Sequence, residues 1–200
     1  MTSEAKMKAV GSNRAQAQVM ASLARAAETA GPAGRTNPQL VGAFGERAVE
    51  AELLRRNWVT ANVNASIRNV KDVDLFAFKN TRSLHIRVKT CSPNTDIQYS
   101  SRKGQEITTD DIARTDFTVI VRMGATRNDD QFYVVPTPVV LQALKEHRRA
   151  SLARGVKDEG HWVLRWNELR SRQSQPNYGF EKKWAEYLNR WDGLETIAVE

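Results

Sequence analysis

The chain has 200 residues, of which 40% are hydrophobic and 26% are charged; this balance suits one globular domain with a sizeable core and excludes a globally disordered chain. No apolar run approaches the roughly 18 residues that cross a membrane, and the single cysteine, Cys91, excludes an internal disulfide framework and a thiolate zinc cluster. The formal charge of +7 favours an anionic partner, most often nucleic acid, without demanding one.

The N-terminal segment, residues 1–36, is rich in Ala, Ser, Gly and Gln and has no aromatic residue. Residues 13–30 favour a helix whose mostly alanine face would bury little area. We therefore predict a mobile or helical extension that ends at Gly31–Gly34, and an ordinary packed first helix is an equal alternative. The first residues contain no hydrophobic signal region, so we expect a protein that is not secreted, and the cysteine content favours the cytoplasm.

A firmer helix is predicted from Asn37, which can cap it, to about Arg56, because Pro38 suits the first helical position. Glu46 lies in the middle of its small or apolar face. A carboxylate is costly there unless something pairs with it, so Glu46 is expected to have a partner.

The following part of the chain is rich in residues that favour strands. The third predicted strand places Leu84, Ile86 and Val88 on one face, with His85, Arg87 and Lys89 on the other. Residues 79–82 are predicted to connect a hairpin. The predicted strands are 58–67, 73–78, 84–90, 116–123 and 132–135.

The rest of the pattern predicts a polar loop over residues 91–107, a short helical turn that starts at Thr108, and a helix over residues 138–152. The C-terminal segment contains four of the five tryptophans and is predicted to end in a helix over residues 180–190. These tryptophans could stack on unpaired bases or pack in the core, and core packing is the stronger expectation.

One constellation of residues can carry chemistry. A helix presents Glu46, one hairpin strand presents Asp74, and the next strand ends in Lys89-Thr90. On adjacent strands Asp74 and Lys89 can share one face. Magnesium prefers oxygen ligands, and one or two carboxylates with water and phosphate suffice to hold it. A metal ion would activate a bound water, and a nearby ammonium could orient that water or stabilise negative charge.

This arrangement resembles the PD-(D/E)xK nuclease superfamily, which includes restriction endonucleases and Holliday junction resolvases. The resemblance covers residues 38–136 and depends on Gly45-Glu46, on Asp74 in Asp-Val-Asp-Leu, and on Ile-Arg-Val-Lys-Thr at 86–90. It implies an α/β fold of the restriction endonuclease-like type, with a mixed β-sheet core flanked by helices. The implied core spans residues 37–136, and a mainly helical C-terminal part, residues 137–200, packs on it.

The resemblance also implies a function, a DNA-binding endonuclease that hydrolyses phosphodiester bonds with Mg²⁺ or Mn²⁺. Glu46, Asp74 and Lys89 would be the catalytic residues. Asp74, Glu46 and Glu50 would be the metal ligands. Since many nucleases of this kind cut two strands, a homodimer is expected by analogy.

Arg87 departs from the pattern, because the superfamily has an acidic residue two positions before the lysine. A guanidinium cannot ligate a cation and repels it at close range. Either Glu46, Glu50 or Asp72 supplies the missing oxygen, or metal binding is weakened. Alternatively, the chain is a catalytically inactive module that binds DNA or a protein partner. Glu46 could also form a structural ion pair with Arg87 or Lys89.

Basic residues suggest a path for nucleic acid. The predicted helix after Pro138 is rich in cations, and phosphate contacts from such a helix would be sensitive to salt. A solvated basic face is the equal alternative. The predicted nucleic-acid-binding residues are Arg87, Thr90, Arg102, Lys103, Lys145, Arg148 and Arg149.

Other chemistry has little support in the sequence. The three histidines are far apart and lack the spacing of zinc ligands. The phosphate-binding loop, the dinucleotide-binding turn and the serine-hydrolase elbow have no match. Cys91 has no histidine arranged as a dyad with it, so a small structural role is expected.

Overall fold

The computed structural model describes residues 37–63, 73–92, 96–108, 115–166 and 179–196. The described residues from Pro38 onwards form one compact unit, and the predicted extension over residues 1–36 lies outside the described residues. The helices are α1 (Pro38–Arg55), α2 (Thr137–Ala153), α3 (Phe180–Lys183) and α4 (Gly193–Thr196). The strands are β1 (Val59–Asn62), β2 (Leu75–Lys79), β3 (Arg82–Cys91), β4 (Ile97–Ser100), β5 (Phe117–Arg122), β6 (Gln131–Pro136) and β7 (His161–Leu164).

A five-stranded mixed sheet, in the order β1-β2-β3-β5-β6, forms the centre of this unit. The pair β3 and β5 is parallel, and the other neighbouring pairs are antiparallel. Helices lie against the sheet, which confirms the predicted α/β class with a mixed sheet flanked by helices. No helix in the described ranges is long and apolar enough to span a membrane.

Helix α1 covers one face of the sheet. It begins and ends within one residue of the prediction, and its buried residues Gly45, Val49 and Leu53 are spaced by four. A Cβ atom on Gly45 would lie only 1.8 Å from Thr90 Oγ1. The absence of a side chain at Gly45 therefore lets the helix approach the end of β3 closely.

The β2–β3 hairpin forms as predicted. Its turn includes Asn80 at φ 54°, a left-handed conformation that asparagine tolerates well. Leu84, Ile86 and Val88 are buried in a cluster with residues of α1. The predicted strand over residues 58–67 is observed as β1, and its end lies outside the described residues.

A second hydrophobic cluster includes residues of β4, β5, β6, β7 and α2. The prediction of a loop over residues 91–107 was wrong in one part, because Ile97–Ser100 form β4 and pair with β7. Ile97 and Tyr99 alternate with polar residues and bury against the second cluster. The short turn predicted after Thr108 lies largely outside the described residues.

The prediction of one C-terminal helix over residues 180–190 was also wrong. The chain forms the short α3 and a 3₁₀ turn, and then Leu188 bridges to Tyr133 of β6. Asn189 adopts φ 55°, and its amide donates to the Phe132 carbonyl at 2.6 Å. Pairing with the sheet edge thus replaces further helical turns. The four late tryptophans are all buried, which agrees with core packing; they are Trp162, Trp166, Trp184 and Trp191.

Candidate functional site

Asp74 lies immediately before β2 and is only 6% exposed. Its backbone amide donates to the Ile86 carbonyl at 3.0 Å, and its Oδ2 accepts from the Val88 amide at 2.7 Å. The carboxylate thus continues the hydrogen bonding between the strands by one step beyond β2. These two bonds fix a buried negative charge at the end of the hairpin ladder.

Arg87 faces this carboxylate from β3. Its Nε lies 3.4 Å from Asp74 Oδ2, and its side chain is 21% exposed. Residue 74 comes directly before Leu75, which pairs with Ile86, so the antiparallel register places residue 74 opposite Arg87. Arg87 therefore provides a positive partner for Asp74 at the position where the resemblance expects an acidic residue.

Lys89 follows Arg87 on the same face of β3. Burial lowers the pKa of Lys89 to about 8; the charge of Arg87 acts in the same direction and that of Asp74 opposes it. Near pH 8 a substantial fraction of the amine is therefore neutral. Asp74, Arg87 and Lys89, hereafter the strand-end cluster, combine a carboxylate, a fixed cation and an amine that can hold or release a proton.

Tyr99 of β4 borders the strand-end cluster. Its ring centre lies 4.8 Å from Lys89 Nζ, and the residue is 4% exposed. Burial raises the pKa of the Tyr99 phenol above its ordinary range, although the charge of Arg87 acts in the opposite direction. The sequence reasoning missed this residue because it missed β4. The alternation of Ile97 and Tyr99 with polar residues was the signal that could have identified it.

The two helix carboxylates contact β1. Glu46 Oε2 accepts from Asn62 Nδ2 at 3.1 Å. Glu50 pairs with Arg47 at 2.7 Å and lies 3.4 Å from Thr60 Oγ1. Both glutamates thus have partners on the helix or on β1, whereas the Asp74 carboxylate has partners on β3.

The residues around Asp74 can be tested for their fit to a metal ion. Magnesium is commonly held by one or two carboxylates, with water and substrate phosphate as its other ligands. Within the described ranges, no group of three or more His, Cys, Asp or Glu side chains is arranged to hold a metal. At the strand-end cluster the Asp74 carboxylate would therefore be the protein ligand of such an ion, and water and phosphate would supply most of its other oxygens.

Thr90 differs from the other predicted nucleic-acid-binding residues in its surroundings. Its Oγ1 is buried against Gly45 of α1 and has no hydrogen-bond partner among the described residues. The hydroxyl is thus directed at the helix.

The remaining predicted nucleic-acid contacts come together on one side of the unit. Lys145, Arg148 and Arg149 of α2 line a cavity of about 160 Å³. The loop after β4 lies beside them, because Lys103 pairs with Glu159 at 2.7 Å and Arg148 pairs with the neighbouring Asp158 at 2.9 Å. We call this the basic surface; it comprises Arg102, Lys103, Lys145, Arg148 and Arg149.

Acidic side chains accompany part of the basic surface. Three of its five cations have acidic partners: Lys103 pairs with Glu159, Arg148 with Asp158, and Lys145 with Glu106 at 3.7 Å. Arg102 and Arg149 are exposed. The surface therefore retains cations that can reach a polyanion.

No family model matches the chain, and no curated protein matches it either. Among solved structures, the chain is similar to a bacterial homing endonuclease, I-Ssp6803I, with a TM-score of 0.44 and 16% sequence identity. The similarity covers 80% of this chain and 93% of that chain. At this identity it concerns the course of the chain and not the side chains of a site.

Proposed function

We propose that this protein binds nucleic acid, most readily DNA, and hydrolyses phosphodiester bonds with the help of Mg²⁺ or Mn²⁺. The observation that carries the proposal is the strand-end cluster, where a buried carboxylate and an amine of lowered pKa lie on adjacent chain segments. Perturbed ionisable groups of this kind are concentrated at functional sites.

Each member of the cluster has a role in the proposal. Asp74 holds the metal ion, which when bound supplies Lewis-acid stabilisation and an activated water. Lys89 holds or moves a proton at Nζ, or stabilises negative charge as an ammonium. Arg87 binds a phosphate oxygen, a task for which its planar fork of donors is well suited.

The other sequence-predicted residues also have roles in the proposal. Glu46 and Glu50 are secondary metal ligands in this proposal, and Glu46 would exchange its bond with Asn62 for the metal. The basic surface binds the phosphate backbone outside the cluster. Phosphate contacts of this kind fix the register of a nucleic acid without reading its sequence.

The test replaces Asp74 with Asn, which keeps the shape of the side chain and removes its charge. We expect cleavage of DNA in Mg²⁺ or Mn²⁺ to fall by a factor on the order of a hundred or more, because metal-derived stabilisation is lost. Binding of DNA should persist, because the basic surface is unchanged. Single-turnover cleavage and a DNA-binding titration measure the two effects.

A matched control is Asp96→Asn. Asp96 has a side chain with about a tenth of its area exposed and is paired with Arg165 at 2.8 Å, so it resembles Asp74 in burial and in having an arginine partner. This variant should cleave like the parent. Equal cleavage by the parent and by Asp74→Asn would show that the assignment of the metal site is wrong.

The contact between Arg87 and Asp74 favours a second candidate function, a DNA-binding module without catalysis. In this candidate the guanidinium occupies the neighbourhood of the carboxylate permanently. Calorimetric titration of Mg²⁺ and Mn²⁺ into the protein, alone and with DNA, separates the candidates when Arg87→Glu is included. Metal binding by that variant alone would indicate a lapsed metal site, and saturable binding by the parent would support the hydrolase.

A further inference from the structure

The contact between Tyr99 and Lys89 joins the two sheets of the unit. Lys89 belongs to the central sheet, whereas Tyr99 belongs to the two-stranded sheet of β4 and β7. The distance of 4.8 Å from the ammonium nitrogen to the ring centre is within the range of about 6 Å over which an aromatic face attracts a cation. The attraction is strongest where water is excluded, and Tyr99 is nearly fully buried.

The ring is held in place from two sides. Tyr99 pairs with Trp162 in the β4–β7 register, and the Trp162 indole donates to Ser101 Oγ at 2.9 Å. Tyr99 is also buried in the second hydrophobic cluster, together with Leu164 of β7. A ring fixed in this way can act as a rigid surface for a mobile side chain.

Lysine needs such a surface because its ammonium is carried by a flexible four-carbon stem. Fixing that stem costs rotamer entropy. An aromatic face attracts the ammonium without accepting its protons as a carboxylate does, so the N–H groups remain available for a water or a phosphate oxygen.

We infer that Tyr99 is a positioning residue, whose ring face holds the Lys89 ammonium at the strand-end cluster during phosphodiester hydrolysis. This inference rests on the proposed function, because the position of Lys89 affects a rate only if the protein hydrolyses phosphodiester bonds. Tyr99 acts through Lys89 and has no contact of its own with the substrate in this scheme.

The test compares Tyr99→Leu with Tyr99→Phe. The leucine variant removes the ring, so we expect kcat to fall by roughly a hundred-fold, which is typical of a misplaced catalytic group, with KM unchanged. The phenylalanine variant retains the ring face and should recover most of kcat. The spectroscopic readout is NMR of Lys89, whose ε-methylene protons should be shifted upfield by the ring in the parent and in Tyr99→Phe, and should lose that shift in Tyr99→Leu.

A structural role is separated from positioning by Ile97→Ala. This variant weakens the same strand and the same cluster and leaves the ring in place. It should lower the melting temperature while kcat and the Lys89 resonances remain those of the parent. A kcat loss in Ile97→Ala as large as that in Tyr99→Leu would overturn the inference, because packing alone would then explain both.

Two further results have defined meanings. If Tyr99→Leu retains the kcat of the parent, or if Tyr99→Phe loses as much kcat as Tyr99→Leu, the ring face does not position Lys89 and the inference is wrong. If the parent cleaves no nucleic acid, the proposed function fails. The Lys89 resonances then decide whether the contact exists, and the positioning role in hydrolysis is rejected with the function.

Discussion

Gly45 and Thr90 show how one missing side chain determines the position of the candidate site. The helix lies so close to β3 that a Cβ atom on Gly45 would meet Thr90 Oγ1 at 1.8 Å and Thr90 Cβ at 2.9 Å. Thr90 is the neighbour of Lys89, so any retreat of the helix would disturb the end of the strand that carries the amine. The glycine is therefore a geometric requirement of the site as well as of the core.

We predict that Gly45→Ala destabilises the protein by about 1–3 kcal/mol, because the added methyl group overpacks the contact with Thr90. Chemical denaturation monitored by tryptophan fluorescence measures the change. Gly42→Ala is the matched control, because it lies on the same helix and a Cβ atom there would meet no atom within 4 Å. That variant should gain roughly 0.5–1 kcal/mol through the better helix propensity of alanine. Equal effects at the two glycines would contradict the close approach.

The strand-end cluster shows what could and could not be read from the sequence at the scale of residues. Asp74 and Lys89 could be proposed because each stands in a short motif on a strongly patterned strand. The pairing of Arg87 with Asp74 could not be predicted, because it depends on the register of two strands as well as on their identity. The sequence left Glu46 as a candidate partner of Arg87, and only the hairpin register places residue 74 opposite it.

At the scale of elements, strands differ in how far the local sequence pattern alone predicts them. The strand β3 carries a ten-residue pattern and a hairpin turn, and it was predicted within two residues at each end. The strands β4 and β7 have four residues each, and they form because they pair with one another across a long stretch of chain. A short pattern whose partner is distant in sequence gives little local signal, so β4, and with it Tyr99, was missed.

The helix α2 permits a test of the basic surface. Replacing the exposed Arg149 with Gln should weaken DNA binding and reduce the slope of log K against log salt by about 1, the effect of one lost phosphate contact. Arg55→Gln is the control, because Arg55 is an exposed arginine near the end of a different helix, α1. Binding titrations at several salt concentrations measure both variants. An unchanged slope for Arg149→Gln would place the nucleic acid elsewhere.

At the scale of the whole molecule, His147 makes stability depend on pH. The residue is 8% exposed on the buried side of α2, edge-on to Trp162. Burial lowers the pKa of His147 to about 4, and the charges of Arg154 and Arg165 act in the same direction. The unfolded chain takes up this proton below about pH 6.5, while the folded chain does not. The contribution of His147 to the free energy of unfolding is therefore fully present above that pH. It is lost as the pH falls from about 6.5 to about 4.

We predict that His147→Phe makes the free energy of unfolding less dependent on pH over this interval, because the group that binds the extra proton is gone. Urea denaturation at a series of pH values from 7 to 4 measures the slope. His161→Gln, at an exposed histidine of β7, should keep the slope of the parent. If His147→Phe and the parent lose stability in parallel, another group is responsible for the dependence.

The packing of Trp191 and Leu194 has a consequence for the time course of folding. Both residues are buried in the same cluster as Leu53 and Trp58, and the Arg56 guanidinium lies 4.8 Å from the Trp191 ring centre. The part of the core beneath α1 is therefore completed only by residues made more than a hundred positions later on the ribosome. Contacts between such distant segments form slowly, because a long loop must close before they are gained. During synthesis the apolar face of α1 remains incompletely covered until residue 194 emerges, so chaperone binding should be strongest in that interval.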